Sequence, residues 1–354
     1  MRAQGWAQGW LWQRMASSFS CAHVRWPSVS SSLRYCDSSP PPNSLDSDLL
    51  WLRSRATRNQ RYNIGKHTRK ELSALFEALR PIANPSGSSR CGIECIWPLL
   101  SCVLANTQSQ GRQDMFLIPA LLPAAGNQPG TFVEIGAFTG VSLSNTCLYE
   151  RCFNWTGLLV EALPANFAEL TKSGRRAKMV HSAVCGAGTQ PPFVRMTRPT
   201  AGNGNIAKQI MNGTSAPSGE TDLVPCAPLG QIMDSAGLPG ADFLSLDVEG
   251  AELEVLMTFR PSRFKMIMVE TETYVKDVGR VSDKLTIAKV HRTITDASFE
   301  LAADMTNIHE NTYNKNRVYR RAGVAVPRAL SWSPLSGFVI TASHPLSKRV
   351  AASA

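Results

Sequence analysis

The sequence predicts an α/β protein with a mostly parallel central sheet and helices on both faces, on two observations. Two apolar runs, Phe132-Val-Glu-Ile-Gly-Ala-Phe-Thr-Gly140 and Phe243-Leu-Ser-Leu-Asp-Val-Glu-Gly-Ala-Glu252, have the near-continuous hydrophobicity of strands buried on both faces, and each runs into acids and glycine. From residue 131 onward, strand-like runs alternate with helical ones, the pattern that forces parallel strands joined by crossover helices. Ligands of open α/β sheets sit beyond the strands' carboxyl ends, so the chemistry is expected near Gly136 and Asp247.

The elements follow in order. Residues 1–60 read as a disordered tail or an organellar transit peptide, because the first 36 residues contain no acid, four arginines (Arg2, Arg14, Arg25, Arg34) and many serines. The location implied is plastid or mitochondrion for a transit peptide, and cytoplasm otherwise. A helical segment is expected over 61–108. It opens on the capping box Thr68-Arg-Lys-Glu71 and continues with Leu72, Leu75, Phe76 and Leu79 at helical spacing, ending before Pro81. The main domain is placed at 109–342, with a tail over 343–354.

Within that domain, strand one is Thr131 to Ile135 and its helix runs from about Val141 to Cys152. Strand two is Gly157 to Val160, ending at Glu161, with a helix opening after Pro164. Strand three is Lys178 to Val184. Roughly sixty residues then separate strands three and four, too many for a simple connection. Arg198 to Thr221 is the mobile part, Leu223 to Pro225 a short strand and Leu229 to Ala236 a helix. Strand four is Phe243 to Leu246, its helix Glu252 to Thr258, and strand five Lys265 to Val269, ending at Glu270. Arg317-Val-Tyr319 and Gly337-Phe-Val-Ile340 are candidates for antiparallel edge strands.

Composition narrows the function classes. With 354 residues and 43% hydrophobic content, the chain can bury a large core. The net charge of +10 is confined to the ends: residues 1–66 carry +6 and 311–354 carry +7, leaving −3 between them. A slightly acidic middle does not offer the cationic groove that a phosphate backbone requires, so nucleic acid is not the expected partner. No stretch reaches the roughly 18 apolar residues of a membrane-spanning helix. Nine cysteines without a framework or paired C-x-x-C spacing predict free thiols and no metal.

Gly136-Ala-Phe-Thr-Gly140 lacks the middle glycine of the G-x-G-x-x-G dinucleotide turn, which favours a cofactor without a pyrophosphate. A helix from about Val141 would aim amides at the turn, while Glu134 and Asp247 add negative charge, a mixture suited to a zwitterion with a cationic centre. Glu161 stands 25 residues after Gly136, near the spacing at which a doubly wound fold accepts hydrogen bonds from ribose hydroxyls.

These segments resemble those of FkbM-type S-adenosylmethionine-dependent methyltransferases. The resemblance covers residues 109 to 320 and is most specific at Leu244-Ser-Leu-Asp-Val-Glu-Gly-Ala-Glu-Leu-Glu-Val-Leu256. Phe132 to Gly140 is similar to the first motif, Leu159-Val-Glu-Ala-Leu-Pro-Ala-Asn-Phe167 to the ribose-binding strand end, and His181-Ser-Ala-Val184 to the third-strand end beside the adenine. Ser109-Gln-Gly-Arg-Gln-Asp114 and Asn316 to Tyr319 are similar to shorter family elements. The resemblance implies a Rossmann-like class I methyltransferase fold, S-adenosyl-L-methionine as cofactor, and O-methylation of a small hydroxylated acceptor such as a sugar. It places the cofactor against Glu134, Gly136, Ala137, Gly140, Glu161, Ala162, Ser182, Ala183 and Asp247.

Asp247 and Glu249 are the candidate catalytic residues. Asp247 ends its strand in the crevice, Glu249 projects from the turn where it can take an acceptor hydroxyl's proton, and Glu252 is expected as a helix cap. Glu270 is a lesser candidate for substrate or amide contact, and His181 reads as a sheet-edge histidine. The rival readings are a non-catalytic binding or trafficking protein on the same domain and a nicotinamide-dependent oxidoreductase, the latter disfavoured by the missing glycine.

Overall fold

The computed structural model describes residues 56, 69–84, 93–189, 192–197, 209–210, 221–271, 273–275, 279–281, 284–304 and 316–324. The terminal tails, Thr68 of the capping box, most of Arg198 to Thr221, and Gly337 to Ile340 lie outside them.

Among the described residues the first elements are helices α1 (Arg69–Ala83), α2 (Ile93–Asn106), α3 (Gln113–Phe116) and α4 (Ile118–Ala124). Leu72, Leu75, Phe76 and Leu79 are all buried, as their spacing predicts, but α1 runs past Pro81 to Ala83. The main sheet then begins with β1 (Thr131–Ile135), followed by α5 (Cys147–Phe153), β2 (Thr156–Glu161), α6 (Pro164–Leu170) and β3 (Lys178–His181). Short strands β4 (Ala183–Val184), β5 (Phe193–Thr197), β6 (Gln209–Ile210) and β7 (Thr221–Ala227) come next, then α7 (Leu229–Ser235), β8 (Ala241–Leu246), α8 (Glu252–Leu256) and β9 (Phe264–Glu270). A small hairpin of β10 (Thr273–Val275) and β11 (Gly279–Val281) leads to α9 (Lys284–Asp296), β12 (Phe299–Asp304) and β13 (Asn316–Arg321).

Seven strands form the central sheet in the order β12-β13-β9-β8-β1-β2-β3. Strands β3, β2, β1, β8 and β9 pair in parallel, while β13 is antiparallel to both β9 and β12. This is a doubly wound, Rossmann-like order, as the sequence predicts. It reverses at β1, whose neighbours are β2 on one side and β8 on the other, so the crevice opens beyond Ile135. Arg317 to Tyr319, expected at an edge, instead lies between β9 and β12.

Side chains alternate across a strand, so each face of the sheet acquires its own core. Phe132, Phe243, Met266 and Met268 pack with Leu79, Leu100, Leu104, Leu121, Tyr149 and Trp155 beneath the N-terminal helices. Val133, Ile135, Leu244, Leu246, Ile267 and Val269 pack on the other face with Ile232, Met233, Val255 and Ile294. The roughly sixty-residue insertion builds a second sheet, β4-β7-β5-β6, beside the end of β3. Strand three is thereby split at Ser182: its amide still donates to the Glu161 carbonyl at 3.1 Å, but the next residue, Ala183, pairs with Cys226 of the second sheet.

The expectation of free thiols is overturned. Cys102 of α2 is bonded to Cys152 of α5, and Cys185 to Cys226 beside β4. Separations of 50 and 41 residues form no sequence pattern, and only the folding of α2 onto α5 and of β4 onto β7 brings these sulfurs together. Cys147 is a buried free thiol. Among the described residues no helix is long and apolar enough to cross a membrane.

Candidate functional site

A cavity of about 280 Å³ opens at the carboxyl ends of β1, β2 and β8. Its walls include Glu134, Gly136, Ala137, Glu161, Ala162, Ser182, Ala183, Asp247 and Glu249. Gly140, the remaining member of the sequence-derived set, stands behind the turn, where its amide donates to the Ala137 carbonyl at 2.8 Å.

The turn after β1 is pressed against its neighbours. The amides of Gly136 and Ala137 donate to the Val160 carbonyl at 3.0 and 3.1 Å. Gly136 has φ +81°, and a Cβ there would lie 2.0 Å from the Asp247 carbonyl oxygen. Only glycine allows both that backbone conformation and that approach.

Glu161 is buried at the end of β2. One of its oxygens accepts from the Phe138 amide at 2.8 Å and the other from the Leu163 amide at 2.9 Å. Burial raises its pKa, and these amides oppose the rise. A carboxylate offers about two acceptor sites on each oxygen; the oxygen bonded to Leu163 also accepts from the Asn166 side-chain amide at 3.4 Å, and the one bonded to Phe138 retains capacity toward a donor in the cavity. Ser182 and Ala183 form the adjoining wall, where the Ser182 hydroxyl donates to the Ala183 carbonyl at 2.7 Å. His181 stacks on Phe167 with centroids 4.9 Å apart, and its Nε2 lies 3.0 Å from the Ala162 carbonyl.

Glu134 also borders the cavity, but its carboxylate is held from behind. It accepts from the Ser144 hydroxyl at 2.8 Å, the Asn145 amide at 2.6 Å and the Thr146 hydroxyl at 2.5 Å. Burial raises its pKa, and facing Arg175 is the largest opposing influence. These contacts explain why the helix expected from Val141 begins at Cys147 instead. The intervening residues wrap Glu134, and Leu143 adopts φ +63°, which no helix accommodates.

The third wall is acidic. Carboxylate oxygens of Asp247, Glu249 and Glu270 all lie within 4.8 Å of one another, close enough for one cation. Burial, then the facing Asp247, pushes the Glu270 carboxyl well above the usual carboxylate range. Glu249 adopts φ +57° in the turn after β8. Glu252, expected as a helix cap, closes this turn: its Oε1 accepts from the Val248 amide at 3.2 Å and the Gly250 amide at 3.0 Å. Burial pushes its carboxyl up to about 7.

Several contributors escaped the sequence reading. Gln110, Gln113 and Asn145 line the cavity. Asp114 folds the loop that carries the two glutamines, accepting from the Thr107 and Ser109 hydroxyls at 2.7 Å each. The nearest signal was the Ser109 to Asp114 element itself. Arg175 had none, because its side-chain partners lie between 25 and 43 residues before it in the chain.

Residues 134–305 match the model of the methyltransferase FkbM domain. Several solved structures are similar to this chain at low identity. A methyltransferase FkbM from Methylobacillus flagellatus is 14% identical, covering 69% of this chain and 58% of that one with a TM-score of 0.35. An O-methyltransferase from Bacillus cereus in complex with S-adenosylhomocysteine is 10% identical, covering 78% and 100% with a TM-score of 0.34. The Aeropyrum pernix fibrillarin with natively bound S-adenosyl-L-methionine is 12% identical, covering 57% and 73% with a TM-score of 0.34. No curated protein matches the chain.

Proposed function

We propose that the chain binds S-adenosyl-L-methionine in the switch-point cavity and methylates an oxygen of a small hydroxylated acceptor, such as a sugar. The observation that carries this reading is the meeting of Glu161, the Gly136 turn and the Asp247–Glu249 turn around one cavity. When bound, the cofactor supplies an electrophilic methyl group on a cationic sulfur.

The chain's own residues do the rest. Glu161 accepts from the ribose hydroxyls, the close-packed Gly136–Ala137 backbone borders the methionine portion, and Ser182 and Ala183 border the adenine. Asp247 holds the cationic end, with Glu249 adding negative potential beside it. A cofactor held there would supply the methyl group to the acceptor oxygen and leave as S-adenosylhomocysteine. The acceptor's proton goes to Glu249, and the polar side chains of Gln110, Gln113 and Asn145 suit a hydroxyl-rich acceptor. Most of the barrier reduction comes from alignment, and proton removal adds about 10²–10⁴-fold.

The test is release of S-adenosylhomocysteine by the purified chain across a panel of sugars, polyols and hydroxylated metabolites. Asp247→Asn is expected to weaken cofactor binding and turnover together, whereas Glu249→Gln should spare binding and lower turnover by about 10²–10⁴-fold. Cofactor binding with no turnover on any acceptor would favour the non-catalytic reading. Equal loss of binding in both variants would remove Glu249 from the chemistry.

A further inference from the structure

We infer that Arg175 is a positioning residue for the cofactor turn, holding Gly136 to Gly140 in place through two hydroxyl groups that link its guanidinium to Glu134. The inference rests on the reading of the cavity as an S-adenosylmethionine site.

Arg175 lies in the loop before β3, yet its side chain is 0% exposed. Its Nε donates to Glu150 at 3.0 Å, Nη1 to the Gly140 carbonyl at 2.5 Å and the Ser144 hydroxyl at 3.1 Å, and Nη2 to the Thr146 hydroxyl at 2.9 Å. The same two hydroxyls donate onward to Glu134. Proton direction is therefore settled along the chain: guanidinium to hydroxyl, hydroxyl to carboxylate. Each hydroxyl uses its one proton toward the anion and a lone pair toward the cation, which is the satisfied arrangement for a buried pair separated by one atom layer.

The cluster matters for the turn because no helix supports it directly. With α5 delayed to Cys147, the free amides of a helix start do not stand immediately behind Gly140. The positive group behind the turn is the Arg175 guanidinium, which grips the turn's last carbonyl while Val160 holds its first two amides. Its plane also lies over Phe132 of β1, 5.5 Å from the ring centre. A lysine at this position presents a point charge with three donors and cannot span these acceptors.

The experiment compares Arg175→Lys, Thr146→Val and Thr146→Ser in the full chain, by calorimetry with S-adenosylhomocysteine and by amide hydrogen exchange without ligand. Arg175→Lys and Thr146→Val should weaken binding by roughly ten-fold or more, as expected for losing a charge-assisted contact. They should also speed exchange over residues 137–146 while leaving β9 at its wild-type rate. Thr146→Ser, which keeps the hydroxyl, should resemble wild type. Where turnover is measurable, the KM for the cofactor should rise with kcat little changed.

Wild-type exchange and affinity in both Arg175→Lys and Thr146→Val would overturn the inference, as would a Thr146→Ser variant as impaired as Thr146→Val. If Arg175→Lys does not fold, the two Thr146 variants decide. A wild-type chain that binds no S-adenosylhomocysteine overturns the cofactor reading, and the exchange rates then still decide whether Arg175 holds the turn.

Discussion

Replacing Gly136 by alanine tests whether the site depends on backbone contact between two neighbouring strands. The added Cβ would sit 2.0 Å from the Asp247 carbonyl oxygen and 3.2 Å from its carbon. Favourable non-bonded contacts begin near 3.5 Å, so the two segments must part by about 1 Å or more. That separation is resisted, because the Asp247 amide donates to the Ile135 carbonyl at 3.2 Å and thus ties β8 to β1 beside the clash. The left-handed backbone costs a non-glycine residue about 1–2 kcal/mol, and overpacking adds about 1–3 kcal/mol, for a loss of about 2–5 kcal/mol. In a domain of this size that corresponds to a fall in Tm of about 4–20 °C. Gly126→Ala is the control, since Gly126 has φ +71° with nothing within 4 Å of its Cβ and should incur the backbone cost alone. Thermal unfolding of both variants, with calorimetry against S-adenosylhomocysteine, reads the difference. A Gly136→Ala protein that melts no earlier than Gly126→Ala and binds as wild type would refute the argument from close approach.

Two further predictions concern the other walls. Because burial raises the Glu252 carboxyl from 4.5 to about 7, folding takes up a proton between those pH values, and stability falls as pH rises through them, by about 3 kcal/mol in all. Glu252→Gln keeps an acceptor for the Val248 and Gly250 amides and should flatten that part of the slope, gaining on wild type above pH 7; parallel stability curves would contradict the assignment. Removing the Cys185–Cys226 bridge with paired serines releases a 41-residue separation and should cost about 4 kcal/mol by chain entropy. It should also weaken S-adenosylhomocysteine binding more than removal of Cys102–Cys152, because Ala183 and Val184 beside Cys185 line the cavity; equal affinity in the two bridge-free proteins would count against that coupling.

Local patterning carried much of the architecture. Continuous apolar runs marked Phe132 to Ile135, Leu158 to Val160 and Phe243 to Leu246, because strands buried on both faces have no polar face to alternate with. Helical spacing marked the buried stripe from Leu72 to Leu79 for the same reason of burial. The acids and glycines at the strand ends were legible because a parallel sheet delivers its carboxyl ends to one edge. Glu161 and Asp247 therefore declared themselves as residues of one crevice while still 86 positions apart in the chain.

Tertiary structure decided what depends on partners from unrelated segments. Whether Glu134 faces a ligand or its own fold could not be read locally, since Ser144, Thr146 and Arg175 meet it only after β1 and the loop before β3 close around α5. The late start of α5 follows from the same contacts. The disulfides, the split of strand three at Ser182 and the interior place of β13 likewise arise from pairings between segments far apart in sequence. By itself the sequence determined which residues must be buried and which strand ends carry carboxylates, because those properties belong to short segments. The structure alone decided which carboxylates are satisfied by the protein and which border the cavity, because desolvation and hydrogen bonding are set by whatever the completed fold brings within about 3 Å.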